Sequence, residues 1–439
     1  MKRFACLSAL WVVTLLACGG AAEREAELAP PPAEDALLPT ETLVPVGPAW
    51  SYLEPGFAYG GNRRASVVAA DRLGNVYVLA SFSTSGGSKS SLIAFDPTGL
   101  PRWRRDFSAA LQGGDGELDV ATDFWGNVFI VGSSVPQLDL GGGPLGKRAF
   151  VAKFSSTGSL LWQRPLCDSA RVYSVATDAY GAVWFGGTVG NGCNLGGGPL
   201  WEVTSWEQGF IAKFDALGEY VFSRAIGGRG DQVNVRDMTV TSDNGVVVVG
   251  GRYVFAESTQ IRPYISKFAS NGPHRWFRDY PEAYGDFWGA EVNGGRIVVV
   301  GAYSLNFTFQ GTTYPATSIF GDGLVVAYSE SGGEQWFRRL GCWAKAVSAS
   351  EGQVAVLASS CSRTLQFPQS VDVAGKDGVL ALYQGNGTPV RVRGIGQWHS
   401  SGWDVALSPR GAASVTGNEN IQATSTGYTS DLSVFSLMP

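Results

Sequence analysis

Between residue 50 and the C-terminus the chain repeats one unit of about 53 to 60 residues seven times. Each unit reads as four short strands joined by tight turns, and the last unit stops one strand short. Together these observations predict an all-β fold, a seven-bladed β-propeller with four antiparallel strands per blade and an N-terminal strand that closes the last blade. The clearest marker of the repeat is a Gly four residues before an aromatic: Gly99 and Trp103, Gly158 and Trp162, Gly218 and Phe222, Gly272 and Trp276, Gly332 and Trp336. Gly387 and Arg391 are a degenerate copy, and Trp50 heads the series.

In the second unit Leu118 to Thr122 reads as the first strand, Asp123-Phe124-Trp125-Gly126 as a turn and Asn127 to Gly132 as the second strand. A variable loop leads to Phe150-Val151-Ala152-Lys153-Phe154, whose period-two alternation places Phe150, Ala152 and Phe154 on one face. Ser155-Ser156-Thr157-Gly158 then turns the chain into an outer strand around Trp162. The first turn recurs in register as Asp71 to Gly74, Asp178 to Gly181, Asp243-Asn244-Gly245, Asn293-Gly294-Gly295, Ser350-Glu351-Gly352 and Ser408 to Gly411. In such turns Asp, Asn or Ser bonds its own backbone while Gly takes the positive φ. The third strand recurs as Ile93 to Phe95, Ile211 to Phe214, Ile265 to Phe268, Val325 to Tyr328, Val379 to Tyr383 and Leu432 to Phe435.

A ring must close, and Leu437-Met438-Pro439 ends the chain just after a third strand. Trp50-Ser51-Tyr52-Leu53 aligns with Trp103-Arg104-Arg105-Asp106, so the N-terminal segment is expected to supply the missing outer strand. Strand periodicity and 59 glycines exclude helical repeats, and β-solenoid repeats are shorter. With 12 % aromatic and 16 % charged residues the chain is neither disordered nor a coiled coil.

At the N-terminus Lys2 and Arg3 precede the apolar stretch Phe4 to Leu16, too short to span a bilayer and typical of an export signal. It ends in Leu15-Leu16-Ala17-Cys18-Gly19, which resembles the lipobox of bacterial lipoproteins. That resemblance implies a signal peptide over 1–17, palmitate-type acylation of Cys18, and attachment to a membrane. Gly19 lacks the Asp associated with inner-membrane retention, which favours the outer membrane. Residues 18–46 are then a lipidated Cys followed by an Ala-, Glu- and Pro-rich tether, and 47–439 the propeller. Loss of Lys2 and Arg3 would leave a net charge of about −7 with no basic tract, which excludes nucleic acid as a partner.

The remaining cysteines after Cys6 and Cys18 are Cys167, Cys193, Cys342 and Cys361. Cys167 and Cys342 follow the outer-strand Trp by five and six residues, and Cys193 and Cys361 each lie just past a second strand. The start of strand one lies beside the end of strand two in an antiparallel pair. That geometry pairs Cys167 with Cys193 and Cys342 with Cys361, in an oxidising compartment. Four unrelated buried thiols are the alternative. The only histidines, His274 and His399, and the absence of Cys-x-x-Cys argue against zinc.

Loops joining blades and loops between strands two and three share one face of a propeller. The second kind carry the insertions Val135 to Arg148, Gly190 to Gln208, Leu305 to Phe320 and Ser362 to Lys376. Two contain Leu-Gly-Gly-Gly-Pro-Leu, at Leu140 to Leu145 and Leu195 to Leu200. No Lys-Ser/Thr and no helix follows either, so a phosphate loop is rejected. Trp201, Trp206, Trp288, Trp343, Trp398 and Trp403 lie on or beside these loops and are the candidate ligand face, where aromatics stack on sugars or anchor a protein. The competing reading is that most of them pack beneath long loops. Asp115, Asp231 and Asp286 follow Gly between blades but lack the Asp-x-Asp-x-Asp spacing of a calcium loop. No Gly-x-Ser-x-Gly elbow is present. Neither a catalytic residue nor a cofactor or metal is assigned, and a monomer is expected.

Asp123-Phe124-Trp125-Gly126-Asn127-Val128-Phe129-Ile130-Val131-Gly132, with Gly158 to Trp162, closely resembles the "D-x-x-G-N-V-Y-V-x-G … G-x-x-x-W" repeat of a β-propeller family found in exported bacterial proteins. The resemblance spans residues 50 to 439 and fades in the last two units, at Gly352, Gly411 and Arg391. It implies fold and export, since that family carries no common catalytic motif. The expectation is a non-enzymatic, lipid-anchored envelope protein whose rigid face binds protein or polysaccharide. Ala94-Phe95-Asp96-Pro97-Thr98-Gly99 with Trp103 is also similar to the repeat of quinoprotein-type propellers, including an outer-membrane assembly lipoprotein, which implies an assembly scaffold as an alternative. A polysaccharide-acting enzyme is the third.

Overall fold

The computed structural model describes residues 50–59, 66–84, 87–107, 109, 111, 118–200, 208–228, 231–254, 260–318, 321–359, 364–367, 369–372, 378–395, 401–424 and 427–437. The compact unit is Gly47–Pro439. The expected signal, Cys18 and the tether lie outside the described residues, as do Cys361, Trp201, Trp206, Trp398 and His399.

The described strands form seven antiparallel sheets of four or five strands and one separate hairpin, Thr364–Phe367 with Gln369–Asp372. The first sheet runs Ser66–Ala70, Val76–Thr84, Gly87–Phe95, Pro101–Phe107 from inside outwards. The second, third and fourth begin at Leu118–Thr122, Ala170–Thr177 and Asp237–Val240, the fifth and sixth at Ala283–Asn293 and Trp343–Ser350. In the seventh, Ser401–Leu407, Ala413–Thr424 and Gly427–Leu437 are followed by Trp50–Tyr59, with Trp50 opposite Ser436. The fold is an all-β propeller with four-stranded antiparallel blades. The N-terminal strand lies where the unfinished last repeat required it.

The Gly and aromatic of the repeat do not touch within one unit. Each outer-strand ring instead lies on the turn glycine of the next sheet, so a Cβ on Gly158 would meet Trp103 at 2.7 Å, on Gly218 Trp162 at 2.8 Å, on Gly332 Trp276 at 2.9 Å and on Gly387 Trp336 at 2.6 Å. Phe222 lies against Gly272 and Trp50 against Gly99 in the same way. All six glycines have positive φ, between 78° and 101°, so the residue type is fixed both by backbone and by the ring stacked on it.

The stacking is pinned by hydrogen bonds. Trp103 Nε1 donates to Ser156 O at 2.9 Å, Trp162 to Ala216 O at 3.1 Å, Trp276 to Glu330 O at 3.1 Å and Trp336 to Gly385 O at 3.2 Å. Two residues further on, Arg105, Arg164, Arg278 and Arg338 donate through Nε to the carbonyls of Gly158, Gly218, Gly332 and Gly387. A Trp-x-Arg pair on one sheet thus clasps the outer turn of its neighbour.

The inner turns hold through their Asp. Asp123 Oδ1 accepts the N–H groups of Trp125 and Asn127, while Oδ2 lies 3.2 Å from Lys153 Nζ of the third strand, both side chains buried. Asp178 and Lys213 repeat the pair at 2.8 Å. Between sheets the cores are apolar, as in the cluster of Phe129, Val131, Val151, Val172, Phe185 and Phe210.

Cys167 and Cys193 are disulfide-bonded with Cα atoms 5.6 Å apart. Cys342, 1 % exposed, is also in a disulfide. Opening the 26-residue Cys167–Cys193 link by a double Cys→Ser change is expected to lower the unfolding free energy by about 3–4 kcal/mol in the loop-entropy model. Denaturant titration of the two forms checks this, and an unchanged midpoint would contradict it.

Candidate functional site

The seven innermost strands enclose a channel of about 440 Å³. Its wall is lined by main chain and by a recurring position four residues before the inner-turn residue. That position is occupied by Asp119, Ser174, Asp237 and Asp404 in the second, third, fourth and seventh sheets, and by Val67, Gly289 and Ala346 in the others; all but Ser174 line the channel.

Each polar residue there bridges to the next sheet. Asp119 accepts Val120 N–H on Oδ1 at 2.7 Å and Val175 N–H on Oδ2 at 2.8 Å. Asp237 accepts Met238 N–H on Oδ1 and Ala290 N–H on Oδ2, both at 2.8 Å. Asp404 accepts Val405 N–H and Val68 N–H at 2.8 Å, joining the last sheet to the first. Ser174 Oγ donates to Asp237 Oδ1 at 2.7 Å and accepts Met238 N–H at 3.1 Å. These side chains lock inner strands together, and sequence reasoning passed over them.

Burial pushes the Asp404 carboxyl up to about 7 against the pull of its two N–H partners, with the Asp237 charge adding to the rise. Glu291, which accepts Val292 N–H and the Thr239 hydroxyl, is pushed up to about 7, again chiefly by burial. Burial also raises Asp119 well above the usual carboxylate range, reinforced by Asp237, and raises Asp237 to about 6. Among the described residues no group of three or more His, Cys, Asp and Glu is arranged to hold a metal ion.

Toward the loop end the lining changes character. Tyr173, Arg236, Trp288 and Lys345 are the uppermost channel residues of four successive sheets. Arg236 lies 6.0 Å from the Tyr173 ring centre and donates through Nε to Asp286 Oδ2 at 3.0 Å. Burial raises Asp286 to about 6 in spite of Arg236. Trp288 and Trp343, both half-buried, meet edge to face at 5.9 Å across the fifth and sixth sheets. The arc therefore alternates aromatic faces with charged hydrogen-bonding groups over an open channel, a lining suited to a polyhydroxylated ligand.

Of the six candidate tryptophans the structure brings together Trp288 and Trp343, and both stand on innermost strands rather than loops. Trp403 lies in the inner strand Ser401–Leu407. The glycine-rich insertions serve another end. Asp139 Oδ1 accepts the N–H groups of Gly141 and Gly143, and Asn194 Oδ1 those of Gly196 and Gly198. These N–H groups are thus already engaged, and Gly196 and Gly197 lie flat against Tyr220 of an outer strand. Asp231 and Asp286 also stand in strands, each paired with an arginine, Arg252 and Arg236. His274 Nε2 lies 3.1 Å from Ser266 Oγ, which is itself directed at the Trp276 carbonyl.

No family model matches the chain, and no curated protein matches it in sequence. Among solved structures, the polysaccharide lyase Uly1 superposes with a TM-score of 0.53 at 10 % identity, over 90 % of this chain and 94 % of the lyase. The likeness is one of fold. The Pan2 WD40 domain of Neurospora crassa gives 0.46 at 10 % identity over 87 % and 89 % of the two chains, and BamB from Moraxella catarrhalis 0.37 at 12 % over 88 % and 100 %.

Proposed function

We propose that the chain is a seven-bladed propeller, closed by Trp50–Tyr59, that is lipidated at Cys18, resides at the outer membrane as a monomer, and binds a polysaccharide at the loop end of its channel without turning it over. The observation that carries the binding reading is the Trp288–Trp343 pair beside the Arg236–Asp286 pair. The two indoles offer stacking surface, and the Arg236 guanidinium, held in place by the buried Asp286 carboxylate, offers N–H donors to hydroxyl groups. The three bridging Asp residues are consumed by backbone N–H groups, which supports binding over acid–base chemistry in the channel.

Calorimetric titration with a panel of soluble bacterial polysaccharides tests this. Trp288→Ala and Trp343→Ala are each expected to weaken binding on the order of tenfold or more while leaving the melting temperature within a few degrees. Binding that is indifferent to both changes removes this site from consideration. Release of new chain ends during incubation would replace the reading by an enzymatic one, and capture of unfolded outer-membrane β-barrel protein in place of glycan would favour an assembly scaffold. Peptide mapping without reduction is expected to join Cys342 to Cys361.

A further inference from the structure

In a four-stranded antiparallel sheet the turns between strands one and two and between strands three and four lie at the same end, opposite the long loops. On the first three sheets this narrow-turn end carries six exposed apolar side chains. Leu73, Phe124, Trp125 and Tyr180 occupy inner turns and Leu100 and Leu217 outer ones, each between 57 and 75 % exposed. The aromatic members join neighbouring sheets. The Arg72 guanidinium lies 3.8 Å from the Phe124 ring centre, Phe124 meets Trp125 edge to face at 5.7 Å, and Trp125 packs on Gly181 beside Tyr180. The corresponding inner turns of the next three sheets are Ser242-Asp243-Asn244, Asn293-Gly294-Gly295 and Ser350-Glu351-Gly352, polar or acidic throughout. Scattered exposed apolar residues need no explanation, but a one-sided aromatic strip does.

The described chain enters at this same end. Trp50 is the first residue of the outer strand of the seventh sheet, and its ring lies on Gly99, next in sequence to Leu100 and one sheet from the strip. We propose that the narrow-turn face of the first three sheets lies on the lipid surface that holds Cys18. This rests on the lipid-anchor reading above. Trp and Tyr favour the headgroup level, Leu and Phe the acyl boundary beneath it, and Arg72 suits anionic headgroups. Anchoring makes even a weak interfacial surface effective, because the tether holds the disc at high local concentration over the bilayer. With this face down, the channel mouth and the Trp288–Trp343 pair point away from the membrane.

The test uses full-length protein purified from membranes and reconstituted into phosphatidylethanolamine/phosphatidylglycerol vesicles with and without brominated acyl chains, which quench tryptophan on contact. Acylation is followed separately by mass spectrometry of the N-terminal peptide. The wild type is expected to lose emission in brominated vesicles. Trp125→Phe should remove most of that loss by removing the reporter. Leu73→Ser/Tyr180→Ser/Leu217→Ser should remove it while Trp125 remains. An acylated, vesicle-bound protein whose emission is indifferent to bromine overturns the proposal alone, and is also what a protein partner or second copy on the strip would give. A chain with no acyl group on Cys18 overturns the anchor reading and the proposal with it.

Discussion

Replacing Gly218 by Ala is expected to lower the unfolding free energy by about 3 kcal/mol, a large effect for one added methyl group. Two costs add. Gly218 has φ +78°, a conformation that costs an L-residue roughly 1–2 kcal/mol. The new Cβ would also stand 2.8 Å from the Trp162 ring, so the indole must move. Moving it strains the Trp162 Nε1 bond to Ala216 O and the Arg164 Nε bond to the Gly218 carbonyl. Gly146 supplies the control, since at φ +72° it has open space where a Cβ would go, and Gly146→Ala should cost only the backbone share, about 1–2 kcal/mol. Trp162→Ala should itself cost about 3 kcal/mol, from lost packing and the lost hydrogen bond. With the indole gone the added methyl no longer clashes. The double change should therefore fall short of the sum of the two by about 1–2 kcal/mol. Urea unfolding of the four variants decides it, and equal losses for Gly218→Ala and Gly146→Ala would sink the account.

The sequence made the recurrence of Gly and Trp plain but not their pairing. Gly158 and Trp162 are four residues apart along the chain, yet Trp162 lies on Gly218 and Gly158 receives Trp103. Spacing within a unit reports the hairpin; contact between units depends on how sheets lean on each other around the channel, which a period does not encode. The four-strand unit, its turns and the closing strand were legible because each is set by local rules: turn residues, alternation, and an unfinished last unit. The bridging carboxylates had a visible signal that was only partly repeated. Asp119, Asp237 and Asp404 stand four residues before the turn residues Asp123, Thr241 and Ser408, but Val67, Gly289 and Ala346 interrupt the series. Trp288 and Trp343 were legible as aromatics near the loop end. Their meeting was not, because the inner strand Ala283–Asn293 runs for 11 residues and carries Trp288 past a bulge at Phe287/Gly289 into the channel lining. The glycine runs, not read as phosphate loops, have their shape dictated by Asp139, Asn194 and the Tyr220 ring.

The channel carboxylates should make the protein more stable in mild acid than in mild alkali. Asp404 and Glu291 are raised to about 7, Asp237 to about 6, and Asp119 well above its ordinary value. Between about pH 4 and pH 7 the folded chain therefore binds more protons than the unfolded one, and linkage requires stability to fall as pH rises through that window. The groups share one channel with Arg236 and Lys345, and Asp119 and Asp404 each feel the Asp237 charge, so discharging one eases its neighbours. Carboxylates held low by hydrogen bonds, such as Asp96 and Asp168, act in the opposite sense below about pH 4. Melting temperature should thus peak near pH 4 and decline from pH 5 toward pH 8. Asp404→Asn isolates one member. It keeps a single acceptor for two N–H groups, so it forgoes one bond at about 1 kcal/mol. It also removes a buried charge, and should match or exceed the wild type at pH 8 while falling below it at pH 5. Asp404→Ala leaves Val68 N–H without its partner across the seam between the last sheet and the first, and should be less stable than Asp404→Asn at both values. A wild-type melting temperature that stays level or rises from pH 5 to pH 8 would refute the assignment of raised values to the channel.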